Sequence, residues 1–368
     1  AVILDRDMIA LTRRQVLAAT SLLAAPYVTR AHAAVDDRAI AEMLVLGFHG
    51  SSASAPGAQS LARHVEAGRV GGVCFLGHNT RSRAGIEGLT RLFQSAGRKS
   101  KPFISVDQEG GAVQRLGKRS GYKPFPAAQA VAARKSTAEA QAIYAAMARQ
   151  LKSAGFNLNL APVVDLGFEP RNPVVTRWGR AFGSDGTTAA RYAGAFIKGH
   201  RQAGVLTSLK HFPGHGSTLV DSHARPVNLT PTWRKDELTP FINLAKQDLI
   251  DIIMSGHLSH AGLTGGLPAT LSPPAIAYIR RTIGFNGAVM TDDLDMKAIR
   301  SSYSLMDAVV RAIAAGHDLI LLSNSLKPDL NLPQQVTRVV KDAVASGRIS
   351  ARQIEAAAQR VARLKARV

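Results

Sequence analysis

The sequence holds a single cysteine, Cys74, so no intrachain disulfide can staple the fold. Aromatic residues make up only 5% of the chain, and no Arg/Lys run is interleaved with them. Nucleic-acid binding is therefore left without its usual signature. Acidic residues are scarce as well: 26 Asp and Glu stand against 46 Lys and Arg, a formal net charge of +20. Charge of that sign favours anionic partners such as wall polymer or anionic lipid, or is simply a solvated basic exterior. Long apolar runs are missing too. The N-terminal apolar stretch at 16–28 has 13 residues, well under the roughly 20 that span a bilayer. No low-complexity tract, internal repeat or long linker divides the 368 residues, which suffice for one large domain with a sizeable core.

The short apolar stretch has its own context. Thr12-Arg13-Arg14-Gln15-Val16-Leu17 sets paired arginines before it, and Ala31-His32-Ala33 supplies a small-x-small cleavage pattern. Together they resemble a twin-arginine export signal over residues 1–33. The expectation is a mature domain of residues 34–368, periplasmic or secreted, with no membrane span of its own.

From Asp36 onward, apolar β-type runs alternate with amphipathic helical stretches. Strands are expected at 43–48, 70–76, 103–106, 156–160, 205–209, 250–255, 287–291 and 318–322. Helices are expected at 61–68, 86–96, 136–154, 186–203, 233–247, 273–282 and 305–315, with two more in 332–368. Strands that are apolar throughout imply burial on both faces, as parallel sheets require. Eight of them in βα alternation point to a single-domain α/β fold, a (β/α)8 TIM-type barrel, with an open doubly wound sheet as the alternative. Cys74, in Val70-Gly71-Gly72-Val73-Cys74-Phe75-Leu76, is expected to be a small buried hydrophobe.

Polar groups then follow five of these strands closely: Asp107-Gln108-Glu109-Gly110-Gly111, Asp165 at the end of Ala161-Pro162-Val163-Val164-Asp165, Lys210-His211-Phe212-Pro213-Gly214-His215-Gly216, Gly256-His257 and Asp292-Asp293. In a barrel such positions converge on one carboxyl-end face. Asp292, on a strand end, has the rigidity a nucleophile or base needs. Asp293 and Asp295 are expected to cap the helix that follows. In Asp221-Ser222-His223 a carboxylate can fix the imidazole tautomer and leave the other ring nitrogen for proton transfer. A zinc site is the competing reading, with His211, His215, Asp221 and His223 as ligands. Pro213 and Gly214, however, break the helix that a His-Glu-x-x-His site would use. Lys210, His211, Arg115 and Arg180 are candidate donors to a polar ligand.

Four stretches resemble, in order and spacing, the motifs of glycoside hydrolase family 3. They are Asp107-Gln108-Glu109-Gly110-Gly111-Ala112-Val113-Gln114-Arg115; Asn172-Pro173-Val174-Val175 with Arg180-Ala181-Phe182-Gly183; 210–216 continuing to Asp221-Ser222-His223; and Thr291-Asp292-Asp293-Leu294-Asp295-Met296. The resemblance spans roughly 36–366 and is to the single-domain bacterial β-N-acetylglucosaminidases. It implies a (β/α)8 barrel acting on carbohydrate as a monomer, with neither metal nor organic cofactor. It also implies Asp292 as nucleophile, His223 as general acid/base with Asp221 as its partner, and Asp107, Arg115, Arg180, Lys210 and His211 as the grip on a terminal N-acetylglucosamine. The implied mechanism is retaining. A β-glucosidase or β-xylosidase, transfer to phosphate, or a non-catalytic envelope carbohydrate-binding protein are the alternatives. Two departures stand out: Ala112 replaces an arginine common in the family, and Thr176-Arg177-Trp178-Gly179 replaces a shorter stretch. The second places Trp178 near the sugar site, where it either stacks on a pyranose or fills a loop. The export signal points to cell-wall or chitin-derived oligosaccharides as substrates.

Overall fold

Eight of the apolar runs pair as parallel strands: β1 (Leu44–Leu46), β2 (Gly72–Phe75), β3 (Phe103–Val106), β4 (Leu158–Asn159), β5 (Leu206–Phe212), β6 (Ile252–Ser255), β7 (Ala288–Thr291) and β8 (Ile320–Leu322). The computed structural model describes residues 35–98, 100–222 and 225–368; the expected export signal at 1–33 and the candidate acid/base His223 lie outside the described residues. Each strand pairs with the next in chain order up to β7, and β8 returns to pair with β1. A parallel bridge between Met290 and Leu319 joins β7 to the entry of β8, with Thr291 N donating to the Leu319 carbonyl at 3.0 Å. The sheet thus closes into the (β/α)8 barrel.

Why these runs become barrel strands is visible in their alternation. Val45, Cys74, Phe103, Leu158, Ile252, Met254, Ala288 and Met290 pack together as one cluster inside the ring. Their neighbours Leu44, Leu46, Val73, Phe75, Ile104 and Val106 pack outward with helical side chains. A period of two with both faces apolar is the pattern of a sheet covered on each side. Cys74 lies in the interior cluster, where burial pushes its thiol up to about 12.

Between the strands run α1 (Pro56–Glu66), α2 (Arg83–Ala96), α3 (Thr137–Ser153), α4 (Gly186–Gln202), α5 (Thr239–Lys246), α6 (Pro273–Tyr278) and α7 (Leu305–Ala315), followed by α8 (Leu332–Ala345) and α9 (Ala351–Lys365). Local signals set their ends. Ser136 and Glu139 form a reciprocal capping box at α3, and Asp185 accepts from Thr188 N at 2.7 Å at the start of α4. The helix expected at 61–68 begins earlier, because Pro56 occupies the first turn, where its missing N–H costs nothing. The helix expected at 233–247 is shorter: Lys235–Leu238 form a 3-10 turn before α5.

One boundary matters for function. β5 was expected to stop at Leu209 and instead runs through Lys210 and His211 to Phe212, with a register shift against β6 between Leu209 and Phe212. The candidate donors therefore sit on the sheet itself rather than on the loop beyond it.

Candidate active site

Asp107, Glu109, Arg115, Trp178, Arg180, Lys210, His211, Asp221 and Asp292 line one cavity of about 290 Å³ at the carboxyl ends of the strands. A larger groove of about 730 Å³, lined by Asp37, Arg69, Arg338 and Asp342, contains none of these residues. Its Arg69 lies just before β2, at the opposite, amino end of the barrel, and the chemistry of this fold belongs to the carboxyl end.

The cavity floor begins at β3. Past Asp107 the chain makes a small antiparallel pair, Gln108–Gly110 with Val113–Gln114. Gly111 turns it with φ +60, and a β-carbon there would come within 2.6 Å of Ala127. The return stroke carries Arg115 back to Asp107, at 3.5 Å. The Gln108 carboxamide closes the excursion by bonding both backbone groups of Leu116, at 2.9 and 2.8 Å.

Buried charges are knotted around Glu109. Arg180 binds it through both Nε and Nη2 at 2.8 Å, the paired geometry that suits guanidinium and carboxylate. Lys210 Nζ spans Glu109 at 2.8 Å and Asp107 at 2.7 Å. Burial works against the charge on both carboxylates, but Arg180 and Lys210 at Glu109, and Lys210 and Arg115 at Asp107, more than offset it and hold both below the ordinary range. The floor is thus a row of alternating fixed charges with Asp107 partly open to a ligand. In the sequence Glu109 shows only as part of a motif, two residues from Asp107 in a tight glycine turn, and its pairing with Arg180 and Lys210 emerges only from the fold.

A second carboxylate, Asp165, organises the loop after β5. Its Oδ1 accepts from the backbone N of His211 at 3.0 Å and of His215 at 2.9 Å, while Oδ2 faces His211 Nδ1 at 2.7 Å. Burial opposes the charge on Asp165, and His211 and His215 draw its carboxyl below the ordinary value. An ionised carboxylate only accepts, so His211 Nδ1 is the protonated nitrogen and Nε2 is left for a ligand. His215, a candidate zinc ligand or loop support in the sequence, bonds Ser222 Oγ through Nε2 at 2.8 Å, beside Asp221. Burial pushes the His215 imidazole down to about 4, so it is neutral. His211 and His215 each engage a separate partner, and among the described residues no three His, Cys, Asp or Glu side chains are grouped to hold a metal ion.

Beneath the loop lies a residue the sequence did not flag. Glu237, fully buried in the turn before α5, accepts from Leu166 N at 3.2 Å. A β-carbon on Gly216 would lie 1.7 Å from the Leu166 carbonyl and 2.9 Å from Glu237 Oε1, which is why glycine occurs there. Burial, with Asp165 nearby, drives the Glu237 carboxyl well above its usual value, against the pull of the Leu166, Gly216 and Ser217 amides. Nothing in Lys235-Asp236-Glu237-Leu238 distinguishes this glutamate from a solvated one.

Asp292 completes the ring. It follows β7 directly; its N donates to the Ser255 carbonyl at 2.9 Å, and its Oδ1 accepts from Asp293 N at 2.8 Å. Asp293 and Asp295 are not helix caps as expected, since Met296 precedes the short helix Lys297–Arg300. Asp293 Oδ1 instead accepts from Asp295 N at 3.0 Å and Ser323 N at 2.8 Å, and Asp295 accepts from the amides of Ser325 and Leu326 at 2.9 Å. Both tie the β7 exit to the β8 exit, because two adjacent parallel strands end there with unpaired amides to satisfy. His257 adds a further brace, with Nε2 2.8 Å from the Asp293 carbonyl.

The loop 172–182 hangs on one side chain. Asn172 accepts from the amides of Val174 and Val175 at 2.9 and 2.7 Å and donates to the His215 carbonyl at 2.7 Å. Those bonds present Arg180 to Glu109 and set Trp178 at the cavity wall.

Comparison with known proteins bears on the family and the fold. β-Hexosaminidase A of Pseudoalteromonas piscicida is 30% identical over 323 residues, covering 81% of this chain and 54% of its own length. The chain thus spans about half of that relative. β-Hexosaminidase LpqI of Mycobacterium tuberculosis is 35% identical over 290 residues, 77% of this chain and 71% of that protein. Among solved structures, a family 3 β-N-acetylglucosaminidase from Paenibacillus sp. str. FPU-7 superposes with a TM-score of 0.80 at 31% identity, over 90% of this chain and 62% of that one. The M. tuberculosis LpqI structure gives 0.78 at 32% identity, over 89% and 93% of the two chains. The model of the family described as "Glycosyl hydrolase family 3 N terminal domain" matches residues 37–364, nearly the whole described barrel, and the chain belongs to that family.

Proposed function

We propose that the protein is a retaining exo-β-N-acetylglucosaminidase that releases terminal N-acetylglucosamine from cell-wall or chitin-derived oligosaccharides. The observation that carries this reading is the shared cavity: Asp292 opens onto the same small space as Asp107, Arg115, Arg180, Lys210 and His211. A cavity of about 290 Å³ with a charged, hydrogen-bonding floor is of a size to hold one sugar ring, which suits removal of a terminal residue. The relatives named as β-hexosaminidases support the N-acetyl sugar over a plain glucoside.

In the proposed reaction, the floor residues grip the hydroxyls of the terminal sugar while an Asp292 oxygen attacks its anomeric carbon. The glycosidic C–O bond breaks, and the departing oxygen takes a proton from His223, with Asp221 as its proposed partner. His223, now neutral, removes a proton from water. The resulting hydroxide displaces Asp292 from the anomeric carbon and restores both groups. Lys210 and Arg180, with their charges fixed by Glu109, need no reorganisation as charge moves. The export pattern at 12–33 supports action outside the cytoplasm, and cell fractionation of the tagged full-length chain tests that placement.

Assay of 4-nitrophenyl β-N-acetylglucosaminide beside the β-glucoside is the direct test. A preference for the glucoside overturns the sugar assignment. Asp292→Ala is expected to lower kcat by at least about a thousandfold, the scale of losing a covalent nucleophile. A 2-fluoro sugar should label Asp292, as read by mass spectrometry of the peptide; unchanged turnover in the variant would falsify the mechanism.

A further inference from the structure

We infer that Trp178 forms a leaving-group subsite at the cavity rim, an aromatic platform for the apolar face of a pyranose attached through the departing oxygen. The inference rests on the exo-acting reading above and names the class of aglycone it takes: a second sugar ring rather than a small alcohol.

Three observations converge on it. Trp178 is 48% exposed, unusual for so large an apolar side chain, yet it lines the same cavity as Asp292. The ring is also held in place. Its indole N–H donates to the Pro173 carbonyl at 3.0 Å, and the Arg177 guanidinium lies 5.2 Å from the ring centroid. The turn that carries it is locked by Gly179 at φ +63 and by Arg180 N donating to the Val175 carbonyl at 3.1 Å. A rigid, exposed aromatic face gives up little conformational freedom when it is covered, which is what a binding platform requires.

The third observation is depth. Lys210 is 3% exposed and Arg180 8%, so the charged grip is the closed end of the cavity and Trp178 is its open edge. An enzyme that removes terminal sugars puts that sugar at the closed end, and the group that departs points to the opening. A pyranose has one face of C–H bonds with little polarity, and an indole ring matches it in area. The preceding Arg177, packed against the indole, occupies one side and leaves the ring to be covered from the other.

The test compares two glycosides of the same terminal sugar. N-acetylglucosaminyl-β-1,4-N-acetylglucosamine has a ring as its aglycone, and methyl β-N-acetylglucosaminide has none. Trp178→Ala is expected to lower kcat/KM for the disaccharide about tenfold, the worth of one aromatic contact, and to change the methyl glycoside less than about twofold. Trp178→Phe should keep most of the disaccharide activity. Equal losses on both substrates, or no loss on either, overturn the subsite. A separate readout does not depend on turnover: titrating the disaccharide into Asp292→Asn should shift tryptophan emission, and the shift should vanish in the Asp292→Asn/Trp178→Phe double variant. If the unmodified protein cleaves neither glycoside, the reading of function fails while this titration still decides the platform. A shift that persists without Trp178 comes from Trp233 and refutes it.

Discussion

Replacing Glu109 by alanine strips three hydrogen bonds from the floor of the site at once, two from Arg180 and one from Lys210, each 2.8 Å long. The side chains involved are 8% exposed or less, so bulk water replaces the lost carboxylate poorly. Lys210 keeps Asp107 at 2.7 Å, whereas among the described residues the Arg180 side chain keeps only its hydrogen bond to the Val174 carbonyl at 2.9 Å. Breaking a buried ion pair from one side costs about 3–5 kcal/mol, and the countercharge left on Lys210 places this case near the lower end, at about 3. That is roughly a hundredfold in the ratio of folded to unfolded chain. Glu109→Gln keeps the shape and one acceptor, so its loss should be smaller. Urea unfolding followed by circular dichroism measures both, read as a shift in midpoint at constant slope. KM for the nitrophenyl N-acetylglucosaminide should rise in parallel, since the displaced Arg180 and Lys210 are the proposed donors to the sugar. Added salt should not mimic the change, because buried pairs are weakly screened. A loss under about 1 kcal/mol in the alanine variant, with KM unmoved, refutes the view that the knot holds the floor together.

Two further perturbations probe the groups behind the reacting atoms. Burial pushes Asp293 up to about 6, so between about pH 4, where a free aspartate titrates, and pH 6 the folded chain binds more protons than the unfolded one. This group therefore removes stability as pH rises through that window, and Asp293→Asn should flatten the decline in thermal midpoint; an unaltered pH profile contradicts the assignment. Glu237→Gln should match the unmodified protein in activity, whereas Glu237→Ala, which leaves the Leu166 amide buried and unpaired, should lose about 2–3 kcal/mol in urea unfolding. Because the folded carboxyl of Glu237 titrates well above its usual value, stability of the unmodified chain falls as pH rises through that point, and the Gln variant should lack that fall.

The barrel was legible because its strands are apolar on both faces, a pattern that survives without any knowledge of neighbours. What the sequence concealed was where regular structure meets the site. Lys210 and His211 look like loop residues after an apolar run, yet the ladder to β6 resumes at Phe212 and carries them onto the sheet. Gln108 to Gln114 form a hairpin too short to show alternation, and Ala128–Arg134 a helix too short to show a period. Residues that line the cavity and are proposed to meet the sugar stood out by their position after strands: Asp107, Lys210, His211 and Asp292. Residues that hold those in place were less legible. Asp165 was marked by its place after a strand, but not its task of holding the amides of His211 and His215, and Glu237, which accepts from the Leu166 amide, carries no mark at all.

Asp165 has a consequence beyond the bonds it makes. One buried carboxylate anchors the cavity-lining His211 and the start of the loop that leads to Asp221, so the two cannot drift independently. The wall that carries Trp178 reaches that assembly through the Asn172–His215 bond and the Arg180–Glu109 pair, and its tip is otherwise outside it. Changes at the tip can therefore accumulate without disturbing the alignment of the reacting groups. The molecule is partitioned into a frozen interior and an editable edge, and if the proposed platform holds, new leaving-group preferences should arise by exchanging residues 176–178.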